Sequence, residues 1–155
     1  MTKRRIIVLN GTVTVAIAVI QRQDGRVLIG HRRSDHYRRP GEWEFPGGKK
    51  EKPETPEMAV VREAKEETSL TVIVKGCLTE TWCNYPDGVY RHVFVYLCAP
   101  IDADPHPVSV SGDYTEMKWV APSDKETWQD NRIPPMDRSV LEALMDGGVE
   151  KELIR

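Results

Sequence analysis

The sequence predicts an α+β fold of the α-β-α sandwich kind, a mixed β-sheet flanked by helices. Three observations predict it. Apolar, β-branched stretches come first, one well-capped helix sits in the middle, and further strands and a last helix follow. The length of 155 residues suits a single domain, 1–155. The chain is 39% hydrophobic and 30% charged, which fits a globular protein and argues against disorder.

Val13–Gln21 reads as a strand, Asp24-Gly25 as a turn, and Val27–His31 as a second strand, so the pair is expected to form a hairpin. Residues 33–41 are polar and basic, and Pro40-Gly41 marks a loop. Trp43–Phe45 is a short strand broken by Pro46-Gly47-Gly48, and residues 49–54 are a loop. Thr55 then offers an N-cap hydroxyl, Pro56 suits the first helical position, and Glu57 complements the helix dipole. This helix is expected to run to about Thr68. Leu70–Lys75 and Cys77–Cys83 are strand-like, Tyr85-Pro86-Asp87-Gly88 signals a turn, and Tyr90–Ala99 is a long strand. After the loop at Pro105 and Pro107 come a strand at Glu116–Val120, a short helix at Pro122–Trp128, and a final helix from Pro135 to near Gly147-Gly148.

The formal charge of -2 hides a split. Residues 1–40 carry nine bases against two acids, and the remaining residues thirteen bases against twenty-two acids. A uniformly basic nucleic-acid binder is thereby disfavoured, whereas a basic edge beside an acidic site is not. No run of eighteen apolar residues exists, so no membrane-spanning helix is expected. Lys3-Arg4-Arg5 followed by Ile6–Leu9 imitates a secretion signal, but Asn10, Gly11, Thr12 and Thr14 interrupt the apolar run. Cys77, Cys83 and Cys98 are odd in number and form no C-x-x-C pair, which points to free thiols in a reducing, cytoplasmic setting.

The informative segment is Gly48–Leu70. At about 100° per residue, Glu63, Glu66 and Glu67 fall on one side of the helix, with Val61, Ala64 and Thr68 toward the other. Such charge runs are usually solvated faces, and like charges at this spacing cost roughly 0.2–0.5 kcal/mol per pair. That reading leaves the preceding glycines and Arg62 unexplained. Clustered carboxylates suit magnesium or manganese, which also bind phosphate oxygens. Gly47 and Gly48 let the backbone pass close to a metal or ligand, and Arg62 can lock a carboxylate's orientation.

These residues resemble the signature of the Nudix hydrolase family, G-x5-E-x7-R-E-U-x-E-E-x-G-U, where U is a bulky aliphatic residue. Gly48, Glu54, Arg62, Glu63, Glu66, Glu67 and Leu70 match it in spacing. Ala64 stands at a U position, and Ser69 replaces the last glycine, which puts the backbone turn there in question. Trp43-Glu44-Phe45-Pro46-Gly47-Gly48-Lys49 and the stretch Glu54–Glu63 resemble the MutT-type branch. The resemblance implies the Nudix fold and a magnesium- or manganese-dependent hydrolase that converts a nucleoside triphosphate, ordinary or with an oxidised purine, to a monophosphate and pyrophosphate.

By the same resemblance, Glu63, Glu66 and Glu67 are the metal carboxylates, the Gly47 carbonyl is a backbone ligand, and Glu54 holds Arg62. Asp113 resembles a loop acid that adds a ligand or a base, with Glu116 as its rival. Arg33 stands where the branch places an arginine by the substrate, and Arg32 and Lys49 are further candidates for phosphate contacts. Tyr85 falls where relatives carry an aromatic beside the base. Asp137 falls where they carry a base-reading asparagine. An ionised aspartate only accepts hydrogen bonds, which favours exocyclic amino groups. Three alternatives stay open. The basic edge could track the 5′ end of an RNA triphosphate. Pro86, sixteen residues after Leu70, resembles a spacing of nucleoside-diphosphate-sugar hydrolases. The third is a non-catalytic nucleotide sensor on the same fold, in a chain that is a monomer or homodimer.

Overall fold

Strand β1 (Thr12–Ile20) organises the fold because both its faces and both its edges are occupied. The computed structural model describes residues 12–84 and 88–145. The elements after β1 are β2 (Val27–Arg32), β3 (Trp43–Glu44), β4 (Gly47–Lys49), α1 (Pro56–Thr68), β5 (Val72–Asn84), β6 (Tyr90–Pro100), β7 (Tyr114–Val120) and α2 (Pro135–Met145). Four strands form a mixed sheet in the order β4-β1-β6-β5, with β1 and β6 parallel. The other three form an antiparallel sheet in the order β3-β2-β7.

The expected hairpin of β1 and β2 is therefore corrected. The Asp24-Gly25 turn is present, with Arg22 N–H donating to the Arg26 carbonyl at 2.8 Å. Gly25 takes a φ of 90°, which suits a residue without a Cβ. Only a single bridge, Gln21 to Val27, joins the two strands before they diverge into different sheets. The cause lies in β1 itself: Ala16, Ala18, Val19 and Ile20 are all fully buried. A strand buried on both faces belongs inside a sheet, with partners on each edge.

Three further expectations change. Gly47–Lys49, read as the start of a loop, is a strand on the sheet edge. The two strands expected at 70–83 are one 13-residue strand whose register shifts around Gly76 and between Cys77 and Thr79. Glycine marks a bulge there, not a break. Pro122–Trp128 contains only a 3-10 turn at Lys125–Thr127, and fully buried Trp128 anchors it by donating to the Pro122 carbonyl. The expected end of the last helix at Gly147-Gly148 and the basic N-terminal stretch lie outside the described residues.

Side-chain alternation builds the layers. On β1, Ala16, Ala18 and Ile20 face one side, where they meet Ala59, Val60 and Ala64 of α1. Small residues on both partners let the helix lie close to the sheet. Val15, Ile17 and Val19 face the other side, toward Val140 and Leu141 of α2. Leu28 joins the first group, while Val27, Ile29 and Val120 join the second. Both sheets thus contribute to one layer between two helices, as the α-β-α expectation requires. Among the described residues no helix is long and apolar enough to cross a membrane.

The cap of α1 tests the one backbone position that the sequence put in question. Thr55 Oγ1 accepts from Met58 N–H at 3.1 Å, as a Thr-Pro start demands. At the other end Ser69 takes the left-handed conformation, φ 62° and ψ 4°, and its N–H donates to the Lys65 carbonyl. This is the position where helices favour glycine. Ser69→Gly is expected to raise stability by about 1 kcal/mol, read as a higher denaturation midpoint at unchanged slope. A lower midpoint would show that the serine is not strained.

Candidate active site

The edge strand β4 and the helix α1 form the site between them. Pro46 carbonyl and Lys50 N–H bond to β1 at Ala18 and Thr14. Alternation then turns the N–H and carbonyl of Gly47 to the open edge of the strand. There the Gly47 N–H donates to Glu67 Oε1 at 2.8 Å. A Cβ would be obstructed at both glycines, by backbone at one and by a side-chain end at the other. A Cβ on Gly47 would lie 2.5 Å from the Ala16 carbonyl oxygen and 2.9 Å from Ile17 Cα, whereas one on Gly48 would run into the Glu63 carboxylate.

The three helix carboxylates do not share one exposed face. Val60, Ala64, Glu67 and Thr68 form the buried stripe of α1, so Glu67 is only 7% exposed. Glu63 is half-buried beside Gly48, and the Glu66 side chain is exposed. Burial pushes the Glu67 carboxyl up to about 8, with Glu63, Glu44 and Asp113 adding to the rise and the Gly47 N–H opposing it. Glu63 is raised as well, first by burial.

Arg62 gathers the remaining acids. Its Nη2 lies 2.7 Å from Glu54 Oε1 and 3.0 Å from the Lys49 carbonyl, and its Nε also reaches Glu54. Its Nη1 lies 3.1 Å from both Glu63 Oε1 and Glu66 Oε2. Arg62 holds the Glu54 carboxyl down to about 2. One guanidinium thus ties the loop at Glu54 to the strand at Lys49 and orients two helix acids. Among the described residues, no group of three acid, His or Cys side chains converges closely enough to enclose an ion as they stand.

A second buried network flanks this corner. Glu44 is 6% exposed and accepts from Arg32 Nη1 at 2.9 Å and from the Tyr114 hydroxyl at 3.0 Å, while Arg39 Nη2 reaches its other oxygen at 2.7 Å. Arg32, expected at the phosphates, is instead an internal residue, 7% exposed, whose Nε donates to the Arg38 carbonyl. Sequence reasoning passed over Glu44 because charged residues are seldom buried unless paired, and its partners are distant in the chain. Its only local signal is its place between Trp43 and Phe45 on a short strand. Arg91 on β6 is also buried.

The other candidates are distributed as follows. Asp113 precedes β7, its carbonyl accepts from Arg33 N–H, and its charge is felt at Glu67. Glu116 is exposed on β7, opposite His31. Arg33 is exposed beside Asp35, and the Lys49 side chain is exposed on β4. Tyr85 lies outside the described residues, together with Pro86. Asp137, in the first turn of α2, is buried and accepts from Phe45 N–H at 3.0 Å.

Burial first, then Glu44 and Glu42, push the Asp137 carboxyl up to about 7 against the pull of Phe45 N–H and Arg39. A folded-state value above the unfolded one means that the folded chain holds this proton more tightly. The associated stability is complete below about pH 4 and is lost as pH rises through about 7. Asp137→Asn, which keeps an acceptor for Phe45 N–H, is expected to match the parent near pH 4 and to melt higher at pH 8. Thermal melts over that range check this, and parallel curves for the two proteins would contradict it.

Comparison with known proteins agrees with this geometry. The NUDIX domain model matches residues 11–144. A MutT-like protein of Streptomyces ambofaciens is 38% identical over 112 residues, 72% of this chain but 66% of that protein, just under two-thirds of its length. The CTP pyrophosphohydrolase of Escherichia coli (strain K12) is 30% identical over 135 residues, covering 86% of this chain and 91% of the relative. The solution structure of the E. coli ORF135 protein superposes with a TM-score of 0.68 at 27% identity, covering 88% and 90% of the two chains. The chain belongs to the NUDIX domain family.

Proposed function

We propose that residues 1–155 act as one Nudix domain that hydrolyses a nucleoside 5′-triphosphate to a nucleoside monophosphate and pyrophosphate. The observation that carries this reading is the concentration of acid at one corner. Glu67 is buried with its carboxyl raised to about 8, and Glu63, Glu44 and Asp113 add to that rise. Like charges packed this way fit a divalent cation as the missing counter-charge. Magnesium or manganese is the proposed ion, with Glu63, Glu66, Glu67 and the Gly47 carbonyl as the residues that would hold it. When bound, such an ion neutralises phosphate oxygens and acidifies water.

The chain's own residues supply the rest. Arg62 and Glu54 hold Glu63 and Glu66 in orientation. Water attacks phosphorus, a P–O bond to it forms as the anhydride P–O bond breaks, its proton passes to a carboxylate, and pyrophosphate leaves. Asp113 is the proposed acceptor, ahead of exposed Glu116. Exposed Arg33 and Lys49 are proposed to meet phosphates, with Arg32 supporting the loop from within. Tyr85 is proposed to stack on the base. Asp137 is proposed to read an exocyclic amino group in its ionised form, through the carboxylate oxygen that Phe45 N–H does not occupy, which favours cytosine or guanine, including an oxidised purine. The E. coli relative's name, CTP pyrophosphohydrolase, is consistent with that preference.

We place the protein in the cytoplasm, as a monomer or homodimer. For the compartment, the support is that Cys77, Cys83 and Cys98 are all free thiols. The test is a panel of CTP, dGTP, oxidised dGTP, triphosphorylated RNA and nucleotide sugars with Mg2+. Turnover of the triphosphates is the expected outcome. Preferential cleavage of the RNA 5′ end or of nucleotide sugars would transfer the assignment to those classes. Turnover of no member would leave a nucleotide sensor.

A further inference from the structure

A histidine that plays no part in the family signature lies beside the loop acid. His36 sits in the basic loop after β2, with its side chain only 11% exposed. Its Nδ1 accepts the backbone N–H of Arg38 at 3.1 Å and lies 2.7 Å from Arg32 Nη2. Arg32 Nη2 also lies 3.1 Å from Nε2, so the Arg38 amide, which donates to Nδ1 alone, is the contact that puts the lone pair on that nitrogen. The ring proton is therefore left on Nε2, which faces Asp113 Oδ1 at 3.5 Å. Tyr37 stacks on the ring at 4.9 Å and 16°. Arg32 is itself fixed by buried Glu44. A chain of contacts thus runs from Glu44 through Arg32 and His36 to Asp113, and Arg33 N–H holds the Asp113 carbonyl from the same loop.

We propose that His36 is a positioning residue that aims the Asp113 carboxylate at the reaction centre by presenting Nε2–H to it, with the Arg38 amide setting the ring's tautomer and Arg32 holding the ring in place. The proposal rests on the reading of Asp113 as a participant in hydrolysis. It also gives buried Arg32 a function without phosphate contact: the guanidinium shapes the donor that shapes the acid. Residues around a reacting group typically change rate by about 10–100-fold when removed, without touching substrate.

Three variants test this. His36→Phe keeps the ring on Tyr37 but removes both nitrogens. His36→Gln retains an acceptor for Arg38 N–H and a donor for Asp113. Asp113→Ala removes the acid. His36→Phe is expected to lower kcat about tenfold with KM within about twofold, and His36→Gln to recover most of the loss. In the Asp113→Ala background, His36→Phe is expected to have no further effect, since the two act as a unit. On the metal-free protein, long-range 1H–15N spectra are expected to show His36 protonated at Nε2, with that nitrogen shifting in Asp113→Ala.

Other outcomes separate the two layers of the argument. Asp113→Ala with parent kcat would overturn the role of Asp113, and the proposal with it. A slow Asp113→Ala combined with a fully active His36→Phe would overturn the positioning role alone. So would an equal tenfold loss in both backgrounds, or a ring protonated at Nδ1. If His36→Phe does not fold, the His36 spectrum and the His36→Gln kinetics still decide.

Discussion

Glu67→Gln is expected to lower kcat by about a hundred- to a thousandfold while leaving the protein folded, and above pH 8 more stable than the parent. The activity loss follows from removing the most buried anion of the proposed metal corner, where electrostatic groups commonly contribute factors of about 100–1000 each. The stability gain follows from the linkage sign. Burial raises the Glu67 carboxyl to about 8 in the folded chain, so the folded state favours the neutral form. The stability tied to that proton is complete below about pH 4 and is lost as pH rises through about 8. Glutamine is neutral throughout and its carbonyl oxygen can still accept the Gly47 N–H. In metal-free protein the two melting curves should coincide near pH 4 and separate above pH 8, with glutamine higher. Added Mg2+ should stabilise the parent and leave the variant unmoved. An active variant, or one that melts lower at pH 9, would remove Glu67 from the site.

The second large effect separates two adjacent glycines. Gly47→Ala is expected to cost about 2–3 kcal/mol, because its Cβ meets backbone atoms of β1 at Ala16 and Ile17, which cannot give way cheaply. A domain of this size would then melt about 5–10 °C lower. Gly48→Ala meets the end of a side chain instead. Glu63 can swing aside, so stability should change by less than about 1 kcal/mol while kcat falls by about a hundredfold. Thermal melts and kinetics on the two variants check the contrast. Equal destabilisation by both substitutions would show that Gly48 serves only packing.

Local chemistry was the part of this molecule that sequence reasoning read well. Thr55, Pro56 and Glu57 announce the start of α1, and the spacing from Gly48 to Glu67 announces the acidic corner. Pairing across long chain separations was invisible. β1 reads as the first half of a hairpin because the Asp24-Gly25 turn follows it, but its parallel partner is β6, beyond the whole of α1 and β5. No local signal encodes that partner. The only hint was burial on both faces, visible as the unbroken apolar run Val15–Ile20.

The site shows the same division. A wheel places Glu63, Glu66 and Glu67 together, yet cannot say how far the buried stripe extends around the helix. Glu67 lies within that stripe, next to Ala64, and this sets its burial and its proton affinity. Arg32 reads as a candidate for phosphate contacts, whereas pairing with Glu44 takes it inside. The choice between Asp113 and Glu116 was likewise not a matter of residue type. The proposed preference for Asp113 rests on His36 and Arg33, which approach it from the loop after β2.

The central claim is that this acidic corner serves pyrophosphate release from a nucleoside triphosphate. The most direct measurement is 31P NMR of CTP incubated with the protein and Mg2+, with an EDTA control. The account predicts CMP and pyrophosphate in equal amounts, and neither in EDTA. CDP with orthophosphate, or intact CTP in the presence of Mg2+, would contradict it.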